Sequence, residues 1–221
     1  MIDSFAWRSI RAASKRIVGR DLNLHVEGRE HLPDDGPVLL VARHFHHLYD
    51  GCIIMATVPR QVQVLVALDW VERPVALKGM EAACRAAGWP VVYRAPSSVS
   101  NLIRLKTLRV SLRCSNDILR NGHVLLVFPE GYPTIDPHPT PKMHRDEFLP
   151  FHPGFVGIAR HALDDGIPVQ TVPVGFNYVE GEDGWRVTVR FGAPILIDRS
   201  SPSSVVASRA RAMVIDLSAQ E

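Results

Sequence analysis

The sequence predicts an α/β protein: a mixed, mostly parallel central sheet flanked by helices, with a basic amphipathic helix ahead of it. Three observations carry this. Short apolar runs rich in Val and Leu recur at residues 37–41, 62–68, 122–127 and 169–176, as in strands buried on both faces. Stretches of helical character stand between them, at 52–58, 75–87, 100–120 and 155–163. Titratable groups gather where the runs end, which is where open α/β sheets bind ligands.

Taken in order, residues 1–20 read as an amphipathic helix. Ile2, Ala6, Ile10, Ala13 and Ile17 fall on one side, and Arg8, Arg11 and Lys15 on the other. Phe5 and Trp7 sit on the flanks, where aromatic rings suit a membrane interface; the plain alternative is a helix packed on the domain with its basic face in water. Alternation of Leu22, Leu24 and Val26 predicts a strand, followed by the turn Pro33-Asp34-Asp35-Gly36. The helix over 75–87 stops at Gly88. A turn and short strand then lead to Arg94, a side chain suited to paired hydrogen bonds with a phosphate. The basic residues of 100–120 read as a solvated face. Residues 132–150 form a long, proline-rich loop. Pro173 within its run predicts an edge strand or a bulge. Val187, Val189 and Phe191 alternate as a strand, and 204–217 close the chain as a helix. The organisation expected is a helix over 1–20 and one domain over 21–221.

Bulk properties narrow the function. The chain has 221 residues, 46% hydrophobic and 22% charged, enough for one substantial core. A net charge of +2 is too mild to argue for nucleic acid, and no base-stacking motif accompanies it. The cysteines, Cys52, Cys84 and Cys114, are odd in number and lack metal-type spacing, which fits a reduced, cytosolic setting. No apolar run is long enough to span a bilayer, and no secretory signal is evident.

The run 37–41 feeds straight into a cluster of His44, His46, His47 and Asp50. A single histidine beside an apolar run is usually packed or solvated; three within four positions, followed by a carboxylate, point to chemistry. A carboxylate fixes the tautomer of a histidine and stabilises the imidazolium formed when it acts as a base. His46 and His47 stand four and three residues before Asp50, so either would meet it on one helical face. His44 meets it only from a loop ahead of the helix. A metallohydrolase pattern, His-x-His-x-Asp-His, starts the same way, but Leu48 and Tyr49 stand where it has Asp and His.

The order of blocks resembles the PlsC-type glycerolipid acyltransferases, the family of 1-acylglycerol-3-phosphate acyltransferases. The His/Asp cluster is similar to that family's His-x4-Asp motif. Gly88 to Arg94 is similar to its Gly-x5-Arg block, Phe128-Pro129-Glu130-Gly131 to its Phe-Pro-Glu-Gly core, and Val172-Pro173-Val174 to its late Val-Pro-Val strand. The blocks span residues 22 to 198 in family order. Two departures stand out. Five residues separate His44 from Asp50 where the family has four, and Tyr132-Pro133-Thr134 follows Gly131 where the family often has Thr-Arg-Ser. The missing arginine leaves the acceptor's identity open.

The resemblance implies acyl transfer to a hydroxyl. In that reading His44 is the base and Asp50 its orienting carboxylate, with His46 and His47 as alternatives for the base. Arg94 binds the acceptor phosphate, Phe128, Pro129, Glu130 and Gly131 form the acceptor site, and Glu130 binds acceptor hydroxyls or positions Arg94. Val172 to Val174 shape the acyl-chain site. The donor is acyl-CoA or acyl carrier protein and the acceptor a lysophospholipid, first among them 1-acylglycerol 3-phosphate; glycerol 3-phosphate, another lysolipid or an alcohol is the alternative. No metal or prosthetic group is expected. The location implied is the cytoplasmic face of a membrane, with the N-terminal helix as a peripheral or monotopic anchor. Two readings of another class compete: a metallohydrolase using His44, His46, His47 and Asp50, and a membrane-binding protein without catalysis.

Overall fold

The computed structural model describes residues 4–94, 100–182 and 184–219; Ile2, on the apolar side expected for the first helix, lies outside them. The chain runs α1 (Ser4–Asp21), β1 (Leu22–Glu27), a 3-10 turn (Arg29–His31), β2 (Val38–Ala42), α2 (Tyr49–Thr57), β3 (Val62–Val64), β4 (Val66–Ala67), α3 (Pro74–Ala86) and β5 (Val91–Val92). It continues through α4 (Asn101–Arg120), β6 (Val124–Val127), α5 (Gly154–Asp164), β7 (Gln170–Gly181), β8 (Gly184–Phe191) and α6 (Ser203–Ser218). Among the described residues, six strands form one sheet in the order β1-β8-β7-β2-β6-β3, parallel except for the antiparallel pair β7 and β8. The mixed, mostly parallel sheet expected from the sequence is thus present.

Strand periodicity builds the layers. Val38, Leu40 and Ala42 of β2 point to one face, where Val18 of α1 and Ile53, Ile54 and Met55 of α2 cover them. Leu39 and Val41 point to the other, against Ile118, Leu119, Phe155, Val156, Val206 and Ala210 from α4, α5 and α6. All five β2 residues are buried, which is why the run carries no polar position. α6 lies close on β7: a Cβ at Gly175 would stand 2.4 Å from the backbone carbon of Leu217.

Two expectations need correction. The apolar run 62–68 is two strands, since Leu65 N–H donates to Leu126 O of β6 whereas Val66 N–H donates to Pro90 O beside β5. β4 and β5 then pair as a separate two-stranded sheet with its own small core of Leu68, Cys84 and Tyr93. Pro173 lies in an interior strand, opposite Val41 of β2. It is tolerated because its nitrogen faces the side where β8 has ended, the side on which its carbonyl accepts from Gly192 N–H.

The topology places the site. From β2 the chain crosses one face through α2 to reach β3, beyond β6; from β6 it crosses the other face through α5 to reach β7, beyond β2. The connections leaving these neighbouring strands part in opposite directions and open a crevice at their carboxyl ends. His44 follows β2 there and Phe128 follows β6.

Candidate active site

His44 sits in a loop, because α2 begins only at Tyr49. From that loop its Nδ1 lies 3.1 Å from Asp50 Oδ2. Asp50, in the first turn of α2, is fully buried. Its Oδ2 also accepts from the backbone N–H of Phe45 at 2.6 Å and of His46 at 2.9 Å, and its Oδ1 from the Tyr178 hydroxyl at 2.7 Å. Acceptance at both oxygens is the pattern of an ionised carboxylate, and a helix N-terminus favours that charge. Burial and the neighbouring Asp50 push the Tyr178 phenol well above its ordinary pKa, so its proton stays and is donated. His44 therefore carries its proton on Nδ1 and leaves Nε2 as the basic nitrogen. Phe128 stacks on the imidazole at a centroid distance of 4.2 Å and fixes the ring plane.

His46 and His47 do not meet Asp50 through their rings. His46 Nδ1 accepts from Leu48 N–H at 3.2 Å and Tyr49 N–H at 3.4 Å, capping the start of α2. His47 is exposed, its Nδ1 3.3 Å from Ile135 O. Among the described residues no group of three or more His, Cys, Asp or Glu side chains converges as a metal site would require.

The cap makes His46 pH-sensitive. Burial pushes its imidazole below the ordinary value. As pH falls below about 6.5 the unfolded chain takes up a proton that the folded ring resists. The stability supplied by the neutral ring is thus present above that pH and lost through the lowered folded value. Thermal melts at decreasing pH are expected to show this acid-side loss, and His46→Asn, which cannot titrate, to show less of it.

Glu130 lies inside the protein rather than in the cleft. It is 1% exposed; Oε1 accepts from His44 N–H at 2.9 Å, and Oε2 from Leu149 N–H at 3.0 Å and Lys142 Nζ at 2.7 Å. Both of its oxygens are engaged by groups of the protein, and the carboxylate that holds Arg94 is Asp69, which accepts from Arg94 Nε at 2.9 Å and Nη2 at 2.8 Å. Arg94 Nη1 donates to Gly131 O, and the guanidinium lies 3.8 Å from the Tyr132 ring centroid. Gly131 has φ +75° and turns tightly back on Phe128 O, and a Cβ there would stand 3.4 Å from Arg94 Cδ. The Phe128–Gly131 segment thus joins the His44 loop to Arg94.

Sequence reasoning missed three residues here. Lys142 reaches in from the long loop, its Nζ donating to His44 O at 2.8 Å as well as to Glu130. Asp69 and Lys142 gave no signal of their own. Tyr178 gave one: it continues the alternation of Val174 and Phe176, inward-facing on the side of α2.

The family model described as Acyltransferase matches residues 23–176. No curated protein matches the chain by sequence. Among solved structures, the crystal structure of PlsC, the 1-acyl-sn-glycerophosphate (LPA) acyltransferase from Thermotoga maritima, has the same fold, with a TM-score of 0.61. It is 20% identical over 95% of this chain and 77% of that one. Since the matched segment covers most of the chain, from β1 into β7, and includes His44, Asp50, Arg94 and the Phe128–Gly131 turn, the chain belongs to the acyltransferase family.

Proposed function

We propose that the protein transfers a fatty acyl group from a thioester donor, acyl-CoA or acyl carrier protein, to the hydroxyl of a lysophospholipid, first among them 1-acylglycerol 3-phosphate. The carrying observation is the His44–Asp50 pair at the carboxyl end of β2, which sets Nδ1 against the carboxylate and leaves Nε2 for the acceptor. Cys52, the nearest thiol in sequence, does not compete with the acceptor as a nucleophile, because burial pushes its pKa up. His44 Nε2 takes the acceptor's proton as its oxygen attacks the thioester carbonyl. Asp50 stabilises the imidazolium, which returns the proton to the departing thiolate as the tetrahedral intermediate collapses.

Arg94 is the proposed phosphate contact. Asp69 and Gly131 O hold its guanidinium in one orientation and leave one N–H on each terminal nitrogen for a ligand. Glu130 positions His44 through its backbone instead of touching substrate. No cofactor takes part, and the proposed location is the cytoplasmic face of a membrane.

The test is thiol release from palmitoyl-CoA with and without lysophosphatidic acid, and with and without chelator. Release that requires the acceptor and ignores chelator is expected. Acceptor-independent or chelator-sensitive release would favour a hydrolase. Release with glycerol 3-phosphate but not with any lysolipid would move the acceptor and keep the reaction.

A further inference from the structure

The basic helix α4, which its sequence marks as a solvated face, carries more than charge. Leu102, Ile103, Leu105, Leu108 and Val110 are 72%, 53%, 50%, 44% and 64% exposed. Single exposed aliphatics are ordinary; here Leu102, Leu105 and Leu108 follow one another three apart along one flank of the helix, with Ile103 and Val110 on the other, a density of exposed apolar surface that marks an interaction surface. Arg104, Lys106, Arg109 and Arg113 are interleaved with them, and no acidic residue occurs before Asp117. We propose that the N-terminal half of α4 is the surface on which the protein docks to an anionic lipid bilayer.

Position supports this occupant. α4 leads into β6, so its C-terminus stands at the amino ends of the strands and its N-terminus at the carboxyl ends, with His44 and Phe128. The second half is tied down: Ser111 Oγ donates to Val91 O, Cys114 Sγ lies 3.9 Å from Gly88 O, and Ile118 and Leu119 enter the core. From Ser111 the helix runs about 15 Å further toward its first turn, at ~1.5 Å per residue. The exposed leucines thus project at the end of the sheet where the lipid acceptor must enter. Lys106, Arg109 and Arg113 form a basic strip with aliphatic side chains on its flanks, an arrangement that suits a bilayer boundary of anionic headgroups over acyl chains.

In α1, the anchor expected from sequence, Phe5 is 69% exposed but the other large apolar residues are engaged. Val18 is in the core, and Trp7, Ile10 and Ile17 pack against it. Among the described residues no helix is long and apolar enough to cross a membrane. Docking at α4 rests on the proposed lysolipid reaction for its purpose, but its physics is separate.

The test is sedimentation of the full chain with phosphatidylcholine vesicles, with and without phosphatidylglycerol. Two variants are compared with the parent, Leu102→Gln/Leu105→Gln/Leu108→Gln and Lys106→Glu/Arg109→Glu/Arg113→Glu. The parent is expected to bind the anionic vesicles in preference to the neutral ones. Each variant is expected to lower the vesicle partition coefficient about tenfold or more with an unchanged melting temperature. Turnover of short-chain, water-soluble substrates should stay at the parent level in both. A parent that does not bind, or variants that bind equally, would overturn the proposal. So would a parent that is dimeric in solution and becomes monomeric in the leucine variant, since the patch would then serve a second copy. Vesicle binding lost in the variants while no form turns over any substrate would leave docking standing and remove the acyl-transfer reading instead.

Discussion

His44→Ala is expected to lower acceptor-dependent thiol release by about 10²–10⁴-fold, the range for loss of a positioned general base. The melting temperature should change little, because Asp50 keeps its donors from Phe45, His46 and Tyr178, and the backbone contacts of residue 44 with Glu130 and Lys142 survive the substitution. His46→Ala separates the alternatives. It removes the cap on α2, so its expected signature is lower stability with a much smaller loss of rate in the folded fraction. A large rate loss in His46→Ala together with an active His44→Ala would sink the assignment of the base. Asp50→Asn sharpens the test: with one oxygen replaced by an amide, it cannot accept at both positions, so the His44 tautomer is no longer fixed. A loss comparable to that of His44→Ala is expected there, as for residues that act as a unit.

The pairing of His44 with Asp50 was only partly legible in the sequence. Helical spacing favours His46 and His47, and it fails because α2 starts at Tyr49. The loop before it is held by Asp50 itself, whose carboxylate gathers the N–H groups of Phe45 and His46 and turns the His44 ring toward the same oxygen. One carboxylate thus shapes the loop and orients the base, so the extra residue relative to the His-x4-Asp motif is absorbed in the loop.

The layers were legible because β2 and β6 are apolar throughout and the helices between strands are long. The break within 62–68 was not, since a change of hydrogen-bonding partner leaves no mark on an all-apolar run. Tyr178 and Lys142 lie 128 and 98 residues from the groups they contact, and periodicity reports local geometry only. Lys142 is the harder case: nothing about a lysine in a proline-rich loop distinguishes a buried ion pair from a solvated surface charge.

Lys142→Met is expected to destabilise the fold by about 3–5 kcal/mol, because it leaves the Glu130 carboxylate buried without its cation. Both side chains of this pair are fully buried and 2.7 Å apart. Burial pushes the Lys142 ammonium below its ordinary pKa, and the Glu130 charge and hydrogen bond push back. Denaturant unfolding should show a lower midpoint at unchanged slope. The double variant Lys142→Met/Glu130→Gln should cost less than the two single changes added together, since removing both charges avoids the unpaired one.

The same pair bears on rate. Glu130 accepts from His44 N–H while Lys142 donates to His44 O, so the two grip the same residue by both of its backbone polar groups. In Lys142→Met the folded fraction should therefore lose kcat with KM nearly unchanged, because the base is displaced while the Arg94 site, held by Asp69 and Gly131, is left as it was. A variant as stable and as fast as the parent would show that the loop can leave the site without consequence. A rise in KM alone would place Lys142 among the groups that bind substrate.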